Sequence, residues 1–243
     1  MQSFPPPYCD ADQVDGTLRA YGYAVLSPAA VAQWAACPPD DLAALGSHWE
    51  AMPHDAYLKD GGRYRKRRHS CYVVQDDQVE SVAHRAHWQP VEYNALHGGM
   101  QRWFEPVAAS TQALPAWRQI MRALGHTAQA LFPSAEHAPW YTEAHQFRID
   151  TAEGIGRPTP EGAHRDGVDL VAVFLVAREG IKGGETRVFD AQGPQGLRFT
   201  LTEPWSLMLL DDARMIHEST PIQPLGDAPG HRDTLVVTLR RQA

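Results

Sequence analysis

The rhythm of hydrophobic and polar positions changes part-way along the chain. Up to about residue 135 the apolar positions recur mostly at helical spacing, and beyond about 140 they come in short strand-like runs. Ser27-Pro28 opens an Ala-rich helix over 29–36 that the Pro38-Pro39 pair stops. Asp40-Asp41 starts a second over 42–49, with its acidic residues at the positive end of the helix dipole. Two more helices are predicted around 91–104 and 116–131, the latter carrying Trp117, Ile120, Met121, Leu124 and Leu131 near helical spacing.

From residue 145 the pattern predicts strands at 145–149, 170–177, 185–189, 197–201, 206–210 and 234–239, separated by turns such as Gly193-Pro194 and Glu203-Pro204. Short strands at this spacing make a sandwich, jelly roll or barrel. No flexible linker divides the two halves, so one domain over 1–243 is expected, its helix-rich part (about 1–135) packed on a β core (about 140–241).

One stretch of the first half breaks the helical rhythm. After the turn signal Asp60-Gly61-Gly62, residues 63–74 alternate as a strand does and place Arg63, Arg65 and Arg67 on one side. Such a row suits a solvated strand edge that resists aggregation, a phosphate backbone, or an anionic small molecule gripped by the planar guanidinium fork.

Composition narrows these choices. With 29 acidic against 22 basic residues the formal net charge is −7, which argues against a general role in coating nucleic acid. Cys9, Cys37 and Cys71 are far apart, with no spacing for a disulfide framework or a zinc-thiolate site. A reducing compartment fits them, and with no signal-peptide pattern and no apolar run long enough to span a bilayer, a cytoplasmic protein without a membrane partner is expected.

The chemistry gathers around His164 and Asp166, two residues apart at the opening of the apolar run 168–176. On an extended backbone such a pair points to one side. Alone it is a common pattern in a chain with 12 histidines, and His48, His54, His69, His84, His87 and His97, which have no partner at ligand spacing, are expected to be surface or structural. His217 follows a second apolar strand, and Arg232 and Thr234 share one face of the last one. Two histidines and one carboxylate are the donor set of non-heme Fe(II) oxygenases, and a guanidinium with a hydroxyl two residues on can hold a carboxylate. Arg148 is a weaker candidate for a substrate carboxylate, an ordinary ion pair being the other reading. Arg67 and Glu185 are further candidates for the pocket.

His164-x-Asp166, His217 and Arg232-x-Thr234, in this order and within β-rich sequence over roughly 140–241, resemble the Fe(II)/2-oxoglutarate-dependent dioxygenases. Residues 160–169, 181–185 and 231–238, together with the basic segment 63–69, are similar to the bacterial free amino-acid hydroxylase branch typified by L-isoleucine 4-hydroxylase. The resemblance implies a double-stranded β-helix, or cupin-like jelly roll, with helices packed on it. It also implies Fe(II) held by His164, Asp166 and His217, 2-oxoglutarate held by Arg232 with Thr234, O2 as oxidant, and hydroxylation of a small free amino acid. Halogenating relatives lack the carboxylate, so Asp166 favours hydroxylation. A cupin-like binding or sensor protein without turnover is the alternative.

Overall fold

The computed structural model describes residues 4–94, 96–133 and 138–241. Twelve strands are placed within them: β1 (Tyr23–Leu26), β2 (Arg65–Gln75), β3 (Gln78–Ser81), β4 (Trp140–Asp150), β5 (Leu170–Glu179), β6 (Ile181–Gly183), β7 (Thr186–Asp190), β8 (Gly196–Phe199), β9 (Leu207–Asp211), β10 (Met215–Ser219), β11 (Ile222–Pro224) and β12 (His231–Arg240). Seven form one large sheet in the order β1-β9-β5-β12-β4-β2-β3, antiparallel at every contact. Two smaller sheets, β10-β7-β8 and β11-β6, complete the antiparallel jelly roll.

Side-chain alternation along the long strands gives the large sheet two different faces. On one, Ala144, Phe174, Leu207, Leu235, Val237 and Leu239 join a single apolar cluster with the helices. The helices are α1 (Val14–Tyr21), α2 (Pro28–Trp34), α3 (Pro39–Gly46), α4 (Ala109–Gln112) and α5 (Pro115–Leu131). Trp117, Ile120, Met121 and Leu124 are buried along α5, each removing enough apolar surface to contribute about 1.5–3 kcal/mol. Close approach of α5 to the sheet depends on Gly125, where a Cβ would stand 2.5 Å from the Val74 side chain.

On the opposite face the chain divides its space. Val173, Val188, Phe199, Met208 and Met215 fill one part with apolar packing. The remainder is a cavity walled by alternate residues of β2, β4 and β12. No helix among the described residues is long and apolar enough to cross a membrane.

Two sequence readings change here. Residues 91–94 and 96–104 carry turns and coil rather than a helix, residue 95 lying outside the described residues. Val91, Leu96 and Trp103 are exposed while Phe104 is buried, so the apolar residues of this stretch do not gather on one helical face, and Gly98 and Gly99 favour turns over helix. The basic segment is not a solvated edge: residues 65–69 of β2 pair with β4 on one side and hydrogen-bond to the backbone of Pro53, Asp55 and Glu105 on the other, with Arg65 and Arg67 buried. The strand expected over 63–74 is β2, and β1 and β3 belong with it to the large sheet.

Candidate active site

His164 and Asp166 stand in the loop before β5 rather than on a strand, and two mutual backbone bonds with His217 at 3.0 and 2.9 Å hold His164 in place. Asp166 is fixed from the opposite side. The Asp212 carboxylate accepts the backbone N–H of Asp166 at 2.9 Å through Oδ1, and those of Gly167 and Val168 at 2.8 and 3.1 Å through Oδ2. Gly167 turns the loop at φ +77°, in the left-handed region, with Tyr93 against its Cα where a Cβ would collide.

These supports direct three ligand-type atoms at one point. Nδ1 of His164 faces the Gly162 carbonyl at 2.9 Å, which makes Nδ1 the donor and leaves Nε2 with a free lone pair. His164 Nε2 is 3.9 Å from Asp166 Oδ1, and His217 Nε2 is 3.9 Å from Asp166 Oδ2. These distances are too long for hydrogen bonds and suit atoms that share an ion between them. His217 is held well below the ordinary imidazole range by burial and by His164, which keeps it neutral. Burial also disfavours a His164 cation, but Asp166 and Glu161 outweigh it and raise that imidazole. The donor set therefore fits a divalent cation such as Fe(II).

Arg232 and Thr234 both line the same cavity. Arg232 is 4% exposed and has no ion-pair partner among the described residues. Burial, and Arg178 beside it, pull its pKa down to about 10, so it is still a cation at neutral pH. A buried guanidinium without a carboxylate is costly, so this part of the cavity favours an anionic group.

A second such arginine was only weakly marked in the sequence. Arg67 is buried, stacks on Phe104 and Phe147 with its guanidinium carbon 4.1 and 4.6 Å from their ring centres, and donates to His145 Nδ1 at 3.0 Å. It has no carboxylate partner among the described residues, whereas Arg65 is bound to Asp55 at 2.7 Å. Arg102 donates to Gln89 Oε1 at 2.9 Å, and Gln89 in turn donates to Asp166 Oδ1 at 3.1 Å. One amide thus joins the arginine end of the cavity to the metal-facing carboxylate.

Other sequence candidates lie elsewhere. Arg148 points to the helix-covered face and pairs with Asp233 at 2.7 Å and Glu50 at 2.9 Å, so the ion-pair reading is the one the structure displays. Glu185 binds Arg187 at 2.9 Å and does not line the cavity.

Residues that the sequence reading passed over form much of the wall. His69, His87 and His97 are buried, the structural and not the surface reading, and His87, His97, Glu143 and His145 face the cavity. His69 and His87 both reach Glu143 Oε2, at 2.8 and 2.7 Å. Burial disfavours the Glu143 anion, but these two hydrogen bonds outweigh it and hold the carboxyl well below its usual range. The group His69, His87, Glu143 and His145 has the composition of a metal site. Most of its ligand atoms are engaged, however: Glu143 Oε2 accepts from two imidazole N–H groups and His145 Nδ1 accepts from Arg67, which leaves the proton on His145 Nε2, while His69 Nδ1 is buried without a partner among the described residues. Arg67, Arg85 and Arg240 add positive charge around it, so it is a hydrogen-bonded wall. Polar residues at alternate positions of β4, Glu143 and His145, were the one sequence signal for it; His87 and His97 lie in coil, where no periodicity marks them.

A model of the 2OG-Fe dioxygenase family matches residues 46–238. The chain belongs to the 2OG-Fe dioxygenase family. The match spans every cavity residue described above except Arg240, and a 2OG-Fe dioxygenase works with Fe(II), 2-oxoglutarate and O2. A bsmA homologue from Methylobium petroleophilum PM1 is 51% identical, with 100% of this chain and 99% of that one covered and a TM-score of 0.91. IDO from Bacillus thuringiensis is 17% identical over 100% of both chains at a TM-score of 0.78. The Fe(II)/(alpha)ketoglutarate-dependent dioxygenase TqaL is 17% identical over 95% of this chain and 87% of its own at 0.73, and at these identities both support the fold alone. No curated protein matches this 2OG-Fe dioxygenase.

Proposed function

We propose that the protein is an Fe(II)/2-oxoglutarate-dependent hydroxylase of a small free amino acid or a close relative. His164, Asp166 and His217 would hold the metal, and Arg232 with Thr234 the distal carboxylate of 2-oxoglutarate. Bound together, Fe(II), 2-oxoglutarate and O2 supply oxidative decarboxylation to succinate and CO2, with the second oxygen atom inserted into a substrate carbon–hydrogen bond.

The observation that carries the reading is that three buried arginines without a carboxylate partner among the described residues, Arg232, Arg67 and Arg102, face one cavity that also holds the metal-type triad. Arg232 answers the co-substrate, leaving Arg67 and Arg102 for an anionic group of the substrate. Phe147, Val173, Met208 and Val236 offer the apolar part of the wall to a short carbon skeleton. The chain's own work is to orient the reacting carbon and exclude water. Coil residues 87–90, with Trp88 at the cavity, cover one side. Asp166 leaves no side-chain gap at the metal for a halide, which favours hydroxylation. A cupin-like sensor without turnover is not favoured, since the family is one of oxygenases.

The test is aerobic incubation with Fe(II), 2-oxoglutarate and a panel of amino acids, read by mass spectrometry. One or more amino acids should yield a product one oxygen atom heavier, in step with succinate. No such product from any member of the panel contradicts the amino-acid reading.

A further inference from the structure

The cavity contains a carboxylate with no assigned task. Glu161 lines it three residues before His164, with its side chain 13% exposed. Oε1 lies 3.6 Å from His164 Nε2, beyond a good hydrogen bond. Oε2 is buried and has no hydrogen-bond partner among the described residues. Across the same space, His97 Nε2, Arg67 Nε and Arg102 Nε are likewise buried and unpartnered. The Glu161 charge is felt by Arg102 and His97, yet no ion pair joins it to either among the described residues.

Leaving a buried carboxylate oxygen unpaired costs stability, as does leaving a buried guanidinium N–H unpaired. A fold that keeps an acceptor and several donors apart across one cavity matches a guest carrying both complementary charges on neighbouring atoms. Neutralising each other directly was open to these side chains, because glutamate and arginine are long and flexible. Their own supports prevent it: Arg67 is stacked between two rings and tied to His145, and Arg102 is tied to Gln89.

We propose that Glu161 accepts the ammonium group of the substrate while Arg67 and Arg102 take its carboxylate, so that the substrate class is an α-amino acid whose amine is free and unacylated. This rests on the amino-acid hydroxylase reading above. Glu161 is then the residue that separates amino acids from plain carboxylic acids of the same skeleton, by pairing with a charge that only the former carry.

The experiment compares wild type with Glu161→Gln, using the best amino acid of the panel, its N-acetyl derivative and the matching acid without the amine. Turnover and anaerobic equilibrium binding to the enzyme loaded with Fe(II) and 2-oxoglutarate are both measured. Glu161→Gln should lose about 10- to 100-fold in kcat/KM and in affinity for the amino acid, the range for a charge-assisted hydrogen bond. Affinity for the acid without the amine should be unchanged or improved, with iron and 2-oxoglutarate still bound normally. Equal losses on both ligands, wild type accepting the N-acetyl compound as well as the amino acid, or a fall in iron affinity would overturn the assignment; the last would place Glu161 at the metal centre instead. Wild type that binds and converts no amino acid at all would overturn the functional reading, and the Glu161 assignment with it.

Discussion

The carboxylate of Asp212 accepts three consecutive backbone N–H groups, those of Asp166, Gly167 and Val168, at 2.9, 2.8 and 3.1 Å. It therefore holds the loop that presents Asp166 without touching the metal position itself. Burial and the neighbouring Asp166 charge raise the Asp212 pKa to about 6, and the three N–H donors offset part of that shift. Asp212→Asn replaces an acceptor oxygen by a donor facing those amides. Iron affinity should fall by about 10- to 100-fold, as for loss of groups that support metal ligands, with the circular dichroism spectrum unchanged. Normal iron titration in this variant would show that the loop needs no such anchor.

Arg148 and Asp233 face each other across the β4–β12 pair, with Glu50 adding a second carboxylate from the helix side. Removing one member of a pair as enclosed as this costs about 3–5 kcal/mol. Arg148→Met should lower the melting temperature accordingly, while the folded enzyme keeps its KM for every substrate. A raised KM at unchanged stability would return Arg148 to the list of substrate contacts.

Acid stability follows from the histidine wall. Burial holds His87 at about 4, and His69 and His145 are lowered for the same reason, with Arg67 adding to the shift of His145. An unfolded imidazole titrates near 6.5. Between these values the unfolded chain takes up protons that the folded one refuses, so stability is complete at neutral pH and falls as pH drops from about 6.5 toward 4. His164, raised in the folded state, works in the opposite direction but is one site against five, since burial lowers His97 and His217 as well. Thermal melts should move down between about pH 7 and pH 5, less steeply in His87→Gln, which keeps a donor for Glu143. A melting temperature that holds or rises on acidification contradicts the neutral histidine wall.

How far these features were legible in the sequence depends on whether periodicity marks them. The strands of the β core could be read because alternate residues such as Val171, Val173 and Leu175 are buried on one face while Ala172, Phe174 and Val176 are buried on the other. His164, Asp166 and His217 stood out through spacing and order, although the loop setting of His164 and Asp166 did not. The segment 82–107 could not be read: its residues are chosen for a cavity wall, through Gln89, Asn94 and Arg102, and not for a repeating apolar face. Arg67 illustrates the middle case, since alternation placed it with Arg65 on one side of a strand but could not show that this side is enclosed.

In the proposed function two arginines divide the labour, Arg232 for one anion and Arg67 for the other. Equilibrium binding of 2-oxoglutarate to the Fe(II)-loaded enzyme under anaerobic conditions tests this division most directly, comparing wild type, Arg232→Met and Arg67→Met. Arg232→Met should lose at least about 10-fold in 2-oxoglutarate affinity, as expected when a charge-assisted hydrogen bond is removed, while Arg67→Met binds the co-substrate as wild type does. Retained affinity in Arg232→Met, or an equal loss in Arg67→Met, would contradict the account.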